Sequence, residues 1–176
     1  MTSPSMSVYG IKPSQSYERR NGARYSTGVR VVVVRLPPAV HGHGDHSFIP
    51  GLIAVAREKG VSAYVGDGTN RWTAVHRLDA AVLYRLVVEK ATESGRVHAI
   101  AEESVVFLEI AKAIGSRLNV PVVSKTADEA KEHFGLLALF LADDKPISSQ
   151  WTRAKFGWTP IQPNLIDDIN SDAYFP

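Results

Sequence analysis

An α/β fold is what the chain predicts, and three observations predict it. Val29–Leu36 (VRVVVVRL) is a β-branched run without alternation, the pattern of a strand covered on both faces inside a parallel sheet. Beyond it, short extended segments and amphipathic helical segments take turns along the chain. Glycines, prolines and capping residues mark the joins between them. Only the first run has the character of a central parallel strand, so the rest of its sheet is expected to lie outside this chain.

Each element has its own warrant. Pro37-Pro38 ends the first strand, because proline supplies no ladder donor, and AVHGHGDH is read as a loop. Ser47–Lys59 sets Phe48, Ile49, Leu52, Ile53 and Ala56 on one helical face, closed by Gly60. Ser62–Val65 is a short strand, Gly66-Asp67-Gly68 a tight turn, and Arg71–His76 is compatible with an extended segment. Asp79 is expected to cap a helix reaching about Lys90, with Leu83, Leu86 and Val87 inward. Arg96–Ile100 is a further strand, followed by a helix with the stripe Phe107, Ile110, Ala111, Ile114 and Leu118. Pro121–Ser124 is extended, and Thr126-x-x-Glu129 is a capping box opening a helix that Gly135 ends. Leu136–Ala142 (LLALFLA) reads as a packed turn or a partner surface. Ser149 is expected to cap a helix that stops at Gly157, and Asn164 opens a last turn through Ile169.

The bulk numbers exclude several classes. At 176 residues the chain suits one domain with a real core, and 44% apolar with 22% charged residues is ordinary for a soluble protein. A net charge of +2 gives no field to gather nucleic acid or an anionic membrane. There is no cysteine, which removes disulfides, thiolate metal sites and a cysteine nucleophile, and fits a reducing compartment. No apolar run is long enough to span a bilayer and no signal core opens the chain, so a cytoplasmic location is expected. Residues 1–28 are Ser-rich and polar with no helical or strand period, and are read as a disordered or non-native lead-in to a domain over residues 29–176. Arg19, Arg20, Arg24 and Arg30 lack an aromatic stacking platform, so the reading is a solvated tail. His41, His43, Asp45 and His46 raise a zinc or nickel set, but their spacing fits no established site and no metal is assigned.

Four blocks, in order, carry a family resemblance: VVVVRLPPAVHGHGD, YVGDGTNRWTAVHRLDAAVLY, VHAIAEESVVFLEIAKAIGSRLNVPV and TRAKFGWTPIQPNLIDDI. Together they resemble extended short-chain dehydrogenases/reductases, the NAD-dependent epimerase/dehydratase group, with wording closer to an atypical subgroup. The resemblance implies the C-terminal, substrate-side part of an NAD(P)-binding Rossmann-like fold whose N-terminal nucleotide-binding half is missing. It implies NAD or NADP as cofactor and a small hydroxyl- or carbonyl-bearing substrate. Pro37, Ala39 and Val40 match the family's loop at the nicotinamide end, whose backbone helps fix the ring. Arg71 matches the arginine after the GDG turn, a fork suited to substrate oxygens. His76 matches the family's VH-x-x-D segment and is grouped with the substrate side, also reading as a packed, hydrogen-bonded histidine, while Trp72 is a candidate for stacking on a ligand because it stands next to Arg71. Trp158 falls in the terminal GW-x-P turn, where it would pack.

Two signatures of the family are absent. None of the 13 glycines stands three residues from another, so GxxG and GxGxxG both fail. No tyrosine has a lysine four residues on; Tyr9-Gly-Ile-Lys12 has the wrong spacing and a proline after it. No catalytic residue is therefore assigned, and the chain alone is not expected to transfer hydride. Two other readings stand beside this one. An unpaired strand edge would make the chain a partner-binding or self-associating module. A truncated gene product without independent function would instead fold poorly.

Overall fold

The computed structural model describes residues 30–175; the Ser-rich lead-in, with Arg19, Arg20, Arg24 and the first residue of the valine run, lies outside the described residues. In chain order the elements are β1 (Val32–Arg35), β2 (Ala39–His41), α1 (Phe48–Lys59), β3 (Ser62–Val65), β4 (Arg71–His76), α2 (Arg77–Lys90), β5 (Gly95–His98), β6 (Glu102–Val106) and α3 (Phe107–Leu118). They continue with β7 (Val122–Lys125), α4 (Ala127–Phe134), α5 (Ala138–Leu141), α6 (Gln150–Phe156) and α7 (Leu165–Asn170). The strands form three small sheets: β1 parallel to β5, β3 parallel to β7, and β2–β4–β6, with β2 parallel and β6 antiparallel to β4.

The central sheet divides two cores by the period-2 alternation of its strands. Ala39, Trp72 and Ala74 face a larger core with Ile49, Leu52, Phe107, Ile110, Leu165 and Ile169. Val75, with Val40 packed against it, faces a smaller one with Leu83, Val97, Phe156 and Trp158. His41 and His76 are opposite each other in the β2–β4 register, on the face of Ala39 and Ala74, at the far end of the sheet.

Most stop and start signals act as read. Gly60 and Gly157 end α1 and α6 in the left-handed conformation, both bonds of the Thr126–Glu129 box form, and the Asn164 side chain accepts from the Asp167 N–H. Three readings are corrected and one strand is added. Ala39–His41 is a strand rather than loop, since Pro37-Pro38 redirects the chain from one sheet into the next. Glu102–Val106, unassigned from sequence, pairs with β4 across an irregularity between Trp72 and Ala74. Asp79 does not cap α2: the helix follows β4 without a linker, so His76 holds the cap position and its Nδ1 accepts the Leu78 N–H. Ser149 stands at the start of α6, but its hydroxyl donates to the Ile100 carbonyl instead of capping.

The valine run is also less covered than its composition suggests. Val32–Arg35 is half-buried throughout, and among the described residues β1 pairs with β5 alone. A strand rich in valine on both faces needs neighbours on both edges and helices on both faces to be enclosed. LLALFLA becomes a 3-10 turn (Gly135–Leu137) and α5, with Leu141 buried while Leu136 and Leu139 stand exposed.

Candidate functional site

Pro37–Val40 lies where the polypeptide leaves the carboxyl end of β1. Pro37 and Ala39 are buried and Val40 is half-buried. The Ala39 side chain belongs to the larger core and Val40 packs against the smaller, so what this segment offers outward is backbone.

The GDG turn delivers Arg71. Gly68 takes φ +71°, and a Cβ there would stand 2.7 Å from the Tyr64 ring and 2.9 Å from Leu108 Cβ, so only glycine closes the turn. Asp67 accepts from both the backbone N–H and the hydroxyl of Thr69, and Asn70 donates to the Leu141 carbonyl. Arg71 then enters β4 at the edge of an open cleft of about 490 Å³ lined by Val65, Asp67, Thr69, Asn70 and Asp144. Its fork is occupied: Nε donates to Asp144 Oδ1 at 2.9 Å and Nη2 to Oδ2 at 2.7 Å. The guanidinium's hydrogen bonds hold the Asp144 carboxyl down to about 2. Nη1 has no hydrogen bond among the described residues, so an anion entering the cleft meets its two N–H donors or displaces Asp144.

Trp72, the next residue, points the other way. It is 1% exposed, edge-on to Phe48 and Phe107, with no ring face open to a ligand. The substrate contact expected of it is therefore replaced by a core role, because side chains along a strand alternate and Arg71 takes the outward position.

His76 is placed in a buried polar corner that the sequence did not reveal. His41 Nδ1 lies 2.7 Å from Asp168 Oδ2 on α7, and His41 Nε2 lies 3.7 Å from Glu102 Oε1, an ion-pair distance too long for a hydrogen bond. His76 Nε2 is 3.7 Å from the same Asp168 oxygen. Because His76 Nδ1 accepts from Leu78, the neutral ring carries its proton on Nε2, toward Asp168. Tyr174 closes the corner, accepting the Gly42 N–H and donating to Asp45 Oδ2. Leu165, Asp168 and Ile169 share one face of α7, all buried. A carboxylate inside such an apolar stripe requires a buried partner, and that signal was present in the sequence.

Burial works against charge on His41, but the Glu102 and Asp168 carboxylates more than offset it and raise its pKa. For His76 burial dominates and lowers the pKa. The other loop residues diverge from His41: His43 and His46 are exposed, and among the described residues no three His, Asp or Glu side chains converge on a metal-sized point. Gly42 has φ +124°, and a Cβ there would lie 2.7 Å from His76 Nε2. Gly42→Ala is expected to cost about 1–3 kcal/mol in backbone strain before any displacement of His76. Urea denaturation measures this, and an unchanged midpoint would contradict the close packing described.

No protein-family model matches the chain. It is 54% identical over 150 residues to the uncharacterized protein C2A9.02 of Schizosaccharomyces pombe, a match covering 85% of this chain and 51% of that protein. In structure it is similar to the human epimerase family protein SDR39U1 (isoform 2) with NADPH, with TM-score 0.65 and 22% identity over 84% of this chain and 50% of that one. It is also similar to DesIV, a dTDP-glucose 4,6-dehydratase from Streptomyces venezuelae with NAD bound, with TM-score 0.61 and 17% identity over 81% of this chain and 42% of that one. At these identities the likeness is one of fold: the α/β, Rossmann-like class expected from sequence is the class observed. The chain spans about half the length of the relatives it matches. Among the described residues no helix is long and apolar enough to cross a membrane.

Proposed function

We propose that the chain is the substrate-side portion of an NAD(P)-dependent oxidoreductase or epimerase/dehydratase, inactive alone and completed by a nucleotide-binding half set against β1. The observation that carries this is the two-stranded parallel sheet β1–β5. A pair of parallel strands is a fragment of a larger buried sheet, and structural neighbours of the same fold are about twice as long. In open α/β sheets ligands bind beyond the carboxyl ends of the parallel strands, which is where Pro37, Ala39 and Val40 lie after β1. Their backbone would meet the nicotinamide end of NAD or NADP. The cofactor, when bound, would exchange hydride with a carbon bearing a hydroxyl or carbonyl. Arg71, at its open cleft, would orient the substrate's oxygens through Nη1 or by exchanging Asp144 for them, and His76 would act from behind by fixing the end of β4. The residues present fit only this portion of a dinucleotide site, since neither the glycine-rich turn nor Tyr-x-x-x-Lys occurs in the chain. A chain without cysteine suits the reducing cytoplasm, where we place it.

The edge of β1 that is unpaired among the described residues also favours a second reading, in which the chain pairs with itself or another protein through that edge and does no chemistry. One experiment separates them. The chain is co-expressed with the half of the S. pombe relative that it does not span, and NADH and NADPH binding is followed by fluorescence. Binding by the co-purified pair, and not by the chain alone, is the expected result. A folded pair that binds neither dinucleotide would overturn the enzymatic reading, and a chain that assembles only with itself would favour the second.

A further inference from the structure

The corner at the end of β2 joins four separate parts of the chain through ionisable groups. His41 faces Asp168 from α7 and Glu102 from β6, with His76 edge-on to its ring at 5.4 Å between centroids. His76 faces Asp168 and His41, with Asp79 and Arg77 of α2 also within its field. Asp168 is approached by both imidazoles and lies within the field of Tyr174, whose hydroxyl bridges Gly42 and Asp45. Glu102 also accepts the Leu165 N–H at the start of α7. His41, His76 and Asp168 are all more than nine-tenths buried, so solvent screens the charge they share only weakly.

We propose that this corner is a protonation-controlled clasp, in which one carboxylate, Asp168, faced by the imidazoles of His41 and His76, holds the C-terminal segment Asn164–Phe175 against the Gly42–Asp45 loop. The clasp rests on this geometry and is independent of the proposed activity. It is closed when His41 is charged and His76 is neutral. Discharging His41 takes the proton from Nε2, which faces Glu102, so Nδ1–H still donates to Asp168 at 2.7 Å but the positive charge that strengthens that bond is gone. Charging His76 sets a second cation against His41 inside the corner.

The signs of the two titrations define a window. His41, with its folded pKa raised, contributes stability that is full below its unfolded value of about 6.5 and is lost as pH rises through the raised value. His76, with its folded pKa lowered, contributes stability that is present above about 6.5 and is lost as pH falls through the lowered value. Tyr174, raised by burial first, stays protonated and keeps its donor throughout this range. The segment should therefore be held most tightly near neutral pH and loosen on both sides.

Hydrogen–deuterium exchange on the full chain, corrected for intrinsic rates, tests this between about pH 5 and about pH 9. Peptides over residues 164–175 are expected to lose protection toward both ends of this range. Peptides over α3 are expected to hold theirs. Asp168→Asn should give low protection in 164–175 with no pH window, and His43→Gln, an exposed neighbour, should leave the window intact. A flat wild-type profile overturns the clasp, as does loss of α3 protection in step with the C-terminal segment, which would be global unfolding. The wild-type profile decides the matter even if Asp168→Asn fails to fold.

Discussion

Replacing Trp158 with alanine is expected to remove about 3–5 kcal/mol of stability, the usual cost of emptying a large aromatic site in a core. The indole is 1% exposed and sits among Leu83, Val97 and Phe156, so little around it can collapse into the void. Its Nε1–H donates to the Asp79 carbonyl at 3.0 Å, and the Arg153 guanidinium lies over its ring at 5.5 Å. Alanine therefore also removes a hydrogen bond to a carbonyl of α2, which keeps its place in the helix ladder. Urea unfolding followed by circular dichroism measures the change as a shifted midpoint at unchanged slope. A loss under about 1 kcal/mol would mean the smaller core is not a packed unit. The wild-type transition speaks as well: cooperative unfolding argues against a product that cannot fold on its own.

Asp79→Ala should cost roughly 3 kcal/mol, about the value of hydrogen bonds to a buried charged group. The Asp79 carboxylate is 3% exposed and accepts the backbone N–H groups of Ile161 and Gln162, one on each oxygen at 3.1 Å. It thus fastens the segment after the GW-x-P turn to the first turn of α2. Had Asp79 been a helix cap, alanine would cost nearer 1 kcal/mol, so the size of the effect separates the two roles. Because Trp158 bonds the carbonyl of this same residue, the double substitution should fall short of the sum. Strict additivity would show that the two contacts act separately.

Local signals in the sequence placed most elements, because they depend on a few neighbouring residues. Gly60 and Gly157 mark ends that only a left-handed residue completes, and Thr126 with Glu129 writes its cap in four positions. The elements missed are those whose definition is non-local. Ala39–His41 is three residues long and is a strand only because β4 lies beside it, and Glu102–Val106 is half-exposed and polar at its start. The candidate site divides in the same way. The GDG turn was legible from its glycines and Arg71 from the family resemblance, but the carboxylate occupying Arg71 arrives from 73 residues away. Alternation along β4 was enough to warn that Arg71 and Trp72 could not both face a ligand. Asp168 could have been suspected from its place in an apolar stripe, but its partners could not, since His41 is 127 residues distant.

That last separation has a consequence for how the protein is made. During synthesis β2, with its imidazole, emerges long before α7 exists, and the β1–β5 and β3–β7 pairings likewise wait on distant segments. Such a topology is slow to fold and keeps valine-rich edges uncovered on the ribosome, the condition in which nascent chains aggregate or engage chaperones. The carboxylate that faces this buried histidine is made 127 residues after it, so the corner can close only once that stretch has been translated.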